Sequence, residues 1–363
     1  MRVALIIYGG LDTLSGGYLY DRKLVAHLRD QGDIVEIVSL PRTNYLFHLA
    51  HNLSPRLRRR LVRLDADVLV QDELNHPSLF ALNSYLHRHI NYPIVSIVHH
   101  ARSTEGYPAW QNAFYSWVER RYLSSVDGFI YNSQTTQQLV EQFLMNTDAP
   151  NLPDIVAYPG GDRFDPLISN EEIKLRVHDE LLRVVFLGNL IPRKGLHILL
   201  DALVQLPASH WDLTVIGSQQ AHPSYAQVLK RQVARGRLAE RVHFVGALSD
   251  LELTNCLRAS HLLVMPSSYE GYGIAYSEAM SFGLPTIGTT AGAAWEIITH
   301  GHNGFLIAPG DVTALRGHLA ELAQNRQRLL EMSVAARARY RSLPTWSESL
   351  ERIRAFLAEL IGA

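Results

Sequence analysis

Residues 262–288 read LLVMPSSYEGYGIAYSEAMSFGLPTIG. An apolar run at 262–265 stops at Pro266 and gives way to a polar, glycine-containing loop. Ile274 then opens a helix-forming stretch that ends near Gly283, and a second apolar run follows at 286–288. Two strands joined by a helical crossover have to lie parallel, because a parallel pair cannot be closed by a tight turn.

The same alternation runs through the whole chain. Strands are expected at 3–7, 34–39, 67–71, 94–98 and 128–132, and again at 184–187, 213–216, 242–245, 262–265 and 286–288. Helix-like segments fall between them, at 22–30, 135–145, 195–206, 224–235 and 311–324 among others. Unbroken Val/Ile/Leu strands are what a sheet covered on both faces requires, so the class is parallel α/β. Each half opens on a strand that ends in glycine, ALIIYGG and VVFLGN. The stretch 151–172, NLPDIVAYPGGDRFDPLISNEE, is rich in Pro, Gly and Asp and reads as a linker. The expected organisation is two Rossmann-like domains with a cleft between them. The first covers 1–170, the second 171–342, and a closing helix over 343–363 returns to the first. In open parallel sheets ligands sit beyond the carboxyl ends of strands, so the site is expected there.

Composition narrows the function. The chain has 363 residues, 47% hydrophobic and 19% charged, with a formal net charge of −1. That length suits two domains, and the near-neutral charge argues against nucleic acid as a partner. Cys256 is the single cysteine, which excludes an internal disulfide or a cysteine-based zinc site and suits a reducing cytoplasm. No apolar run reaches the ~18 residues of a membrane span, so the expected location is cytoplasmic. Neither GxGxxG nor GxxxxGK[ST] occurs. Dinucleotide cofactors and P-loop chemistry are therefore not expected.

The opening stretch holds two carboxylates, Glu270 and Glu278, with seven residues between them. Gly271 and Gly273 let the backbone approach a ligand closely. Amides from about Tyr272 to Ile274 and beyond then point out of a helix N-terminus, where a diphosphate fits. Glu278, a turn further in, suits the two hydroxyls of a ribose, and Glu270 suits sugar hydroxyls. Alone, the pair could equally be acids favouring a helix dipole. Arg193 and Lys194 follow a strand and precede a helix, as a phosphate clamp would, although a solvated basic turn gives the same pattern. Gly9, Gly10, Gly16 and Gly17 lie between the first strand and its helix, where plain turn chemistry is the competing reading. His99 and His100 end a buried strand; an imidazole there could bond a sugar hydroxyl or place charge near a reacting carbon, or simply satisfy backbone. Asp72 and Glu73 lie beyond another strand end. Arg56, Arg58, Arg59, Arg60 and Arg63 alternate with leucines and could rest on an anionic membrane or face water.

Assembled in order, these pieces resemble the retaining, family-4-type glycosyltransferases of the GT-B fold. The likeness is most specific over PRKG, LTVIG and the run from VHFVGALSD to GFLIAPGD, and looser over Gly16-Gly17, SIVH, FIYNSQTT and YPGGD. It implies that Arg193 and Lys194 neutralise a leaving diphosphate, that Glu278 binds ribose, and that Glu270 contacts the donor sugar. It further implies that Gly271, Tyr272, Gly273 and Ile274 form the phosphate-facing turn and that His99 stands near the reacting sugar. Gly16 and Gly17 would cover the donor, with Gly188, Asn189 and Leu248 also lining it. The family's usual Gly-Arg after the first strand of the second domain is here Gly188-Asn189, one cation fewer. The implied donor is a UDP- or GDP-sugar, the acceptor a hydroxyl of a sugar, glycan or lipid, and no metal or cofactor is expected. An epimerase or hydrolase of the same fold, and a non-catalytic nucleotide-sugar-binding subunit, stay open as alternatives.

Overall fold

Continuous apolar runs become strands buried on both faces, and their order sets where loops converge. The computed structural model describes residues 1–13, 15–145, 152–164, 166 and 168–362. Of the linker stretch, residues 151, 165 and 167 lie outside these. The chain divides into two units. Unit 1 comprises Met1–Pro159 with Trp346–Ala363, and unit 2 is Gly160–Thr345.

Unit 1 is built on strands β1 (Arg2–Tyr8), β2 (Ile34–Leu40), β3 (Val68–Asp72), β4 (Ile94–Val98), β5 (Gly128–Tyr131) and β6 (Asp154–Val156). They pair in parallel in the order β2-β1-β3-β4-β5-β6. β6 lies inside the expected linker. Three residues after Pro153 carry too little apolar signal to be read as a strand, yet they pair with Phe129–Tyr131 at the sheet's edge. Helix α1 (Gly16–Asp30) starts earlier than expected, because Ser15 caps it by accepting from the Tyr18 N–H. α2 (Tyr45–Ala50) and α3 (Pro55–Val62) follow β2. The last helix, Trp346–Gly362, packs within unit 1, where Arg354 bonds Asp33 at 2.8 Å and the Trp346 ring meets Tyr20 edge-on.

Unit 2 repeats the plan with β7 (Leu182–Leu187), β8 (Trp211–Ile216), β9 (Val242–Gly246), β10 (Leu262–Val264), β11 (Thr286–Thr289) and β12 (Gly304–Ile307). Their order is β12-β11-β10-β7-β8-β9, again parallel. The chain winds outward from β7 in one direction and from β10 in the other. The loops after β7 and β10 therefore part at the centre of the sheet's carboxyl edge and leave a crevice. In unit 1 the corresponding switch lies between β1 and β3.

Candidate functional site

In unit 2 two close backbone approaches draw the loops after β7 and β10 together. Gly195 sits at φ 73°, and a Cβ there would run into the Pro266 carbonyl. The Ser268 N–H then reaches the Arg193 carbonyl at 2.8 Å. The side chains follow. Lys194 Nζ donates to both oxygens of Glu270, at 2.8 and 3.0 Å. Arg193 Nη1 donates to the Tyr269 carbonyl at 2.8 Å and lies 4.0 Å from Glu270 Oε1.

Glu270 is buried and strapped in place by its backbone, whose carbonyl accepts from the Ala293 N–H at 2.8 Å. Burial pushes its pKa up, but Lys194 and then Arg193 outweigh burial and hold it below the ordinary range. Burial draws Lys194 down, against the pull of Glu270. The pair is thus a cation and an anion out of water, each depending on the other.

Helix Ile274–Ser281 begins at Gly273, which has φ 95° and packs its Cα against the Tyr276 ring. Gly271, Tyr272 and Gly273 bring the chain from Glu270 to that N-terminus. Ile274 opens the helix with no side chain capping it, a setting in which leading amides can meet a ligand, although the Tyr276 N–H already bonds the Gly273 carbonyl at 2.8 Å. One turn on, Glu278 is buried, and burial raises its pKa although Arg163 opposes the shift. Arg163 Nη1 donates to Glu278 Oε1 at 2.9 Å, and its Nη2 to Asp250 Oδ1 at 2.5 Å. Arg163 is a site residue the sequence did not announce. It lies in the Pro/Gly-rich stretch, 115 positions from Glu278. Leu248 is half-buried in the loop just before the helix that starts at Asp250. Gly188 follows β7, and the Asn189 Oδ1 accepts from the Ser218 N–H at 3.3 Å.

In unit 1 a second group gathers at the carboxyl edge. His99 follows β4, with the Cα face of Gly17 against its ring: a Cβ there would stand 3.2 Å from His99 Cδ2. Gly16 opens the helix one position earlier. Asp21, one turn beyond Gly17, places Oδ1 3.8 Å from His99 Nε2. Asp72 ends β3 beside them. Both oxygens of Asp21, Oδ2 of Asp72 and Nε2 of His99 are buried without a hydrogen-bond partner among the described residues. Burial, then the charge of Asp21, raises the pKa of Asp72 to about 8. Burial opposes charge on His99, but the neighbouring carboxylates Asp21 and Asp72 prevail and raise its pKa. His100 turns elsewhere, to Glu105 at 3.2 Å.

Among the described residues two trios have ligand atoms close enough for a cation, within 4.8 Å: Asp21, Asp72 and His99, and Glu73, His76 and Glu119. The second is already committed. Glu119 accepts from the Arg102 N–H and the Ser103 hydroxyl at 2.5 Å, and His76 bonds the Glu73 carbonyl and the Tyr45 hydroxyl. The first has open ligand atoms, and protons can balance its charge.

Comparison with known proteins bears on the fold and the family. Residues 169–339 match the family described as glycosyl transferases group 1, and residues 17–148 match Glycosyltransferase Family 4. A lipopolysaccharide core biosynthesis mannosyltransferase, LpsB of Rhizobium meliloti, is 31% identical over 52% of this chain and 56% of its own length. A GDP-mannose-dependent monoacylated alpha-(1-6)-phosphatidylinositol monomannoside mannosyltransferase of Corynebacterium glutamicum is 29% identical over 64% of this chain and 62% of its own. The chain thus spans little more than half the length of these relatives. The crystal structure of Anabaena HepE with UDP and glucose superposes with a TM-score of 0.79 over 99% of this chain and all of that one, at 22% identity. The fold is GT-B.

Proposed function

We propose that this chain, whose two units belong to the Glycosyltransferase Family 4 and glycosyl transferases group 1 families, moves a sugar from a nucleoside diphosphate sugar to a hydroxyl acceptor. Configuration is retained and no metal is required. The observation that carries the reading is the Lys194–Glu270–Arg193 cluster at the switch point of unit 2, beside the uncapped start of helix Ile274–Ser281. A relative named for GDP-mannose and a structure named for UDP support a UDP- or GDP-linked donor. The phosphatidylinositol named for one relative makes a lipid-borne acceptor a natural candidate.

In this reading the diphosphate takes over Lys194 and Arg193 and meets the amides at the helix N-terminus. As the bond from the anomeric carbon to the diphosphate oxygen breaks, negative charge grows on that oxygen. Fixed cations and amides stabilise it there without rearrangement, which is the work a divalent metal would otherwise do. The acceptor oxygen bonds the anomeric carbon on the face the diphosphate leaves. Its proton passes to the departing phosphate oxygen, so no carboxylate need act as nucleophile. Glu270, released by Lys194, is free to hold sugar hydroxyls, and Glu278 holds the ribose with Arg163 fixing its other oxygen. In unit 1, His99, whose pKa its carboxylate neighbours raise, is the residue to which the family likeness gives a place near the reacting sugar.

The test is turnover of UDP- and GDP-sugars with glycan and lipid acceptors, with the anomer of the product read by NMR and a chelator in a parallel reaction. The reading expects acceptor-dependent nucleotide release, a retained anomer and no loss with chelator. Nucleotide release independent of acceptor would hand the site to a hydrolase. An inverted anomer would sink the mechanism.

A further inference from the structure

We propose that unit 1 docks on an anionic lipid bilayer through an aromatic face shared by α2 and helix Ala109–Leu123, with the arginines of α3 as its charged flank. The arginine-rich segment alone fits either a helix resting on an anionic membrane or one facing water. Packing rules out a contact made through its leucines. Leu57 and Leu61 belong to the core of unit 1, and Arg58 is tied to the Asn52 carbonyl at 2.8 Å with its guanidinium over the Tyr85 ring. What α3 offers outward is charge: Arg56, Arg59, Arg60 and Arg63 are exposed.

The apolar part lies on α2, which residues 51–54 join to α3, and on helix Ala109–Leu123. Trp110, Phe114 and Trp117 recur at helical spacing on one side of Ala109–Leu123, and all three are exposed, Trp110 by 75%. Phe114 and Trp117 stack at 6.4 Å. The Tyr45 ring, 6.2 Å from Phe114, joins this face to α2, where Leu46 and Phe47 are exposed, and Leu53 follows at 76% exposure. Large apolar side chains gathered this way on a water-facing surface mark a partner.

Charge decides which partner. Residues 41–64 hold six arginines and no acid. On the neighbouring helix Arg120 and Arg121 are exposed, while the one acid, Glu119, is buried and bonded to the backbone of the preceding loop. A second copy would set these like charges against each other. A surface of anionic headgroups accepts arginines at its plane and Trp and Phe at the level just below. No helix among the described residues is long and apolar enough to cross a membrane, so the contact is one of lying on the surface.

The same helix follows the loop that leaves His99. On the transfer reading, which this part alone rests on, docking would bring a lipid-borne hydroxyl toward that edge of unit 1. Binding itself is measured without donor or acceptor, so its failure leaves the transfer reading standing.

The experiment is co-sedimentation of the full chain with phosphatidylcholine vesicles, with and without phosphatidylglycerol, at low and high salt. Wild type is expected to bind only the anionic vesicles and to be released by salt. Each arginine near the surface is worth roughly five-fold in partitioning. Arg59→Glu/Arg60→Glu should therefore weaken binding by roughly 25-fold or more. Trp110→Ser/Trp117→Ser should weaken it at least roughly ten-fold through lost apolar burial. Both variants alter exposed side chains, and an unchanged thermal unfolding curve shows that they fold. Equal binding to neutral vesicles, unaltered binding by the folded variants, or no binding by wild type overturns the proposal. So does a wild-type dimer in light scattering that the Trp110→Ser/Trp117→Ser change splits, because the face would then be a self-interface.

Discussion

Buried carboxylates are handled in opposite ways by the two units. In unit 2 Glu270 and Glu278 each meet a cation brought from a distant loop, Lys194 and Arg163. In unit 1 Asp21 and Asp72 face an imidazole and each other's charge, and Asp72 also accepts from the Leu74 N–H at 2.9 Å. The first arrangement stores cations beside a helix N-terminus, ready to exchange one anion for another. The second keeps a proton that a fully ionised cluster would lose. One unit is therefore built around ion pairs and the other around a carboxyl that burial keeps protonated, and substitutions should act differently on each.

The sharpest break comes at Lys194. Lys194→Ala leaves Glu270 buried without its partner, which costs about 3–5 kcal/mol of stability. Turnover should fall by about 10²–10³ or more, the cost of removing one donor from a developing oxyanion. Lys194→Met/Glu270→Gln separates the two effects: stability should return in denaturant titration while turnover stays lost. Turnover returning along with stability would show that the pair only holds the fold.

In unit 1 the effect is smaller and depends on pH. Folded Asp72 holds its proton to about pH 8, whereas the unfolded residue releases it near its ordinary value of 3.8. Between those values the folded state binds more protons, so stability falls as pH rises through that window and levels off above it. The raised His99 acts in the same sense: its contribution is full below the ordinary 6.5 and is lost as pH rises past the folded value. Asp72→Asn keeps the bond to the Leu74 N–H and removes the charge. It should flatten the slope and stabilise the protein at pH 8 by roughly 1–3 kcal/mol, the scale of a buried unpaired polar group. A denaturation series from pH 5 to 9 checks it, and an Asn variant with the wild-type slope would mean that another group carries the pH dependence.

The sequence was legible where physics is local. Ten of the strands follow from continuous apolar runs, but β6 and β12 are too short or too glycine-bordered to stand out. α1 was read from residue 22 because Gly16 and Gly17 are poor helix formers, and the capping by Ser15 outweighs them. Lys194 and Glu270, singled out from their settings, meet at 2.8 Å. Arg163 and Asp21 were not foreseen, for a common reason. Each acquires its partner through tertiary closure, and no spacing in the sequence announces it.

Arg163 gives a third, milder contrast. It is the group that opposes burial at Glu278, so Arg163→Ala should raise that carboxylate's pKa further. A protonated Glu278 accepts fewer hydroxyl bonds, so affinity for UDP or GDP should decline as pH falls, and begin to do so at a higher pH than in wild type. Calorimetry at several pH values reads this directly. A variant whose affinity stays flat with pH would detach Glu278 from the nucleotide.

The smallest effect sets two glycines against each other. Gly195→Ala in unit 2 combines a left-handed backbone with a collision against the Pro266 carbonyl, a fixed group, and should cost roughly 1–3 kcal/mol. Gly17→Ala in unit 1 meets no such wall. Its φ is ordinary for a helix, where alanine gains roughly 0.5–1 kcal/mol over glycine. The new methyl would press on His99 Cδ2 from 3.2 Å, and the ring can yield only by moving relative to Asp21. Stability should therefore stay within about 1 kcal/mol of wild type, since the propensity gain offsets the contact. The His99 imidazole should titrate lower in NMR as its carboxylate neighbour recedes, with turnover down a few-fold. An unchanged His99 titration would mean that Gly17 serves the helix start rather than the ring beside it.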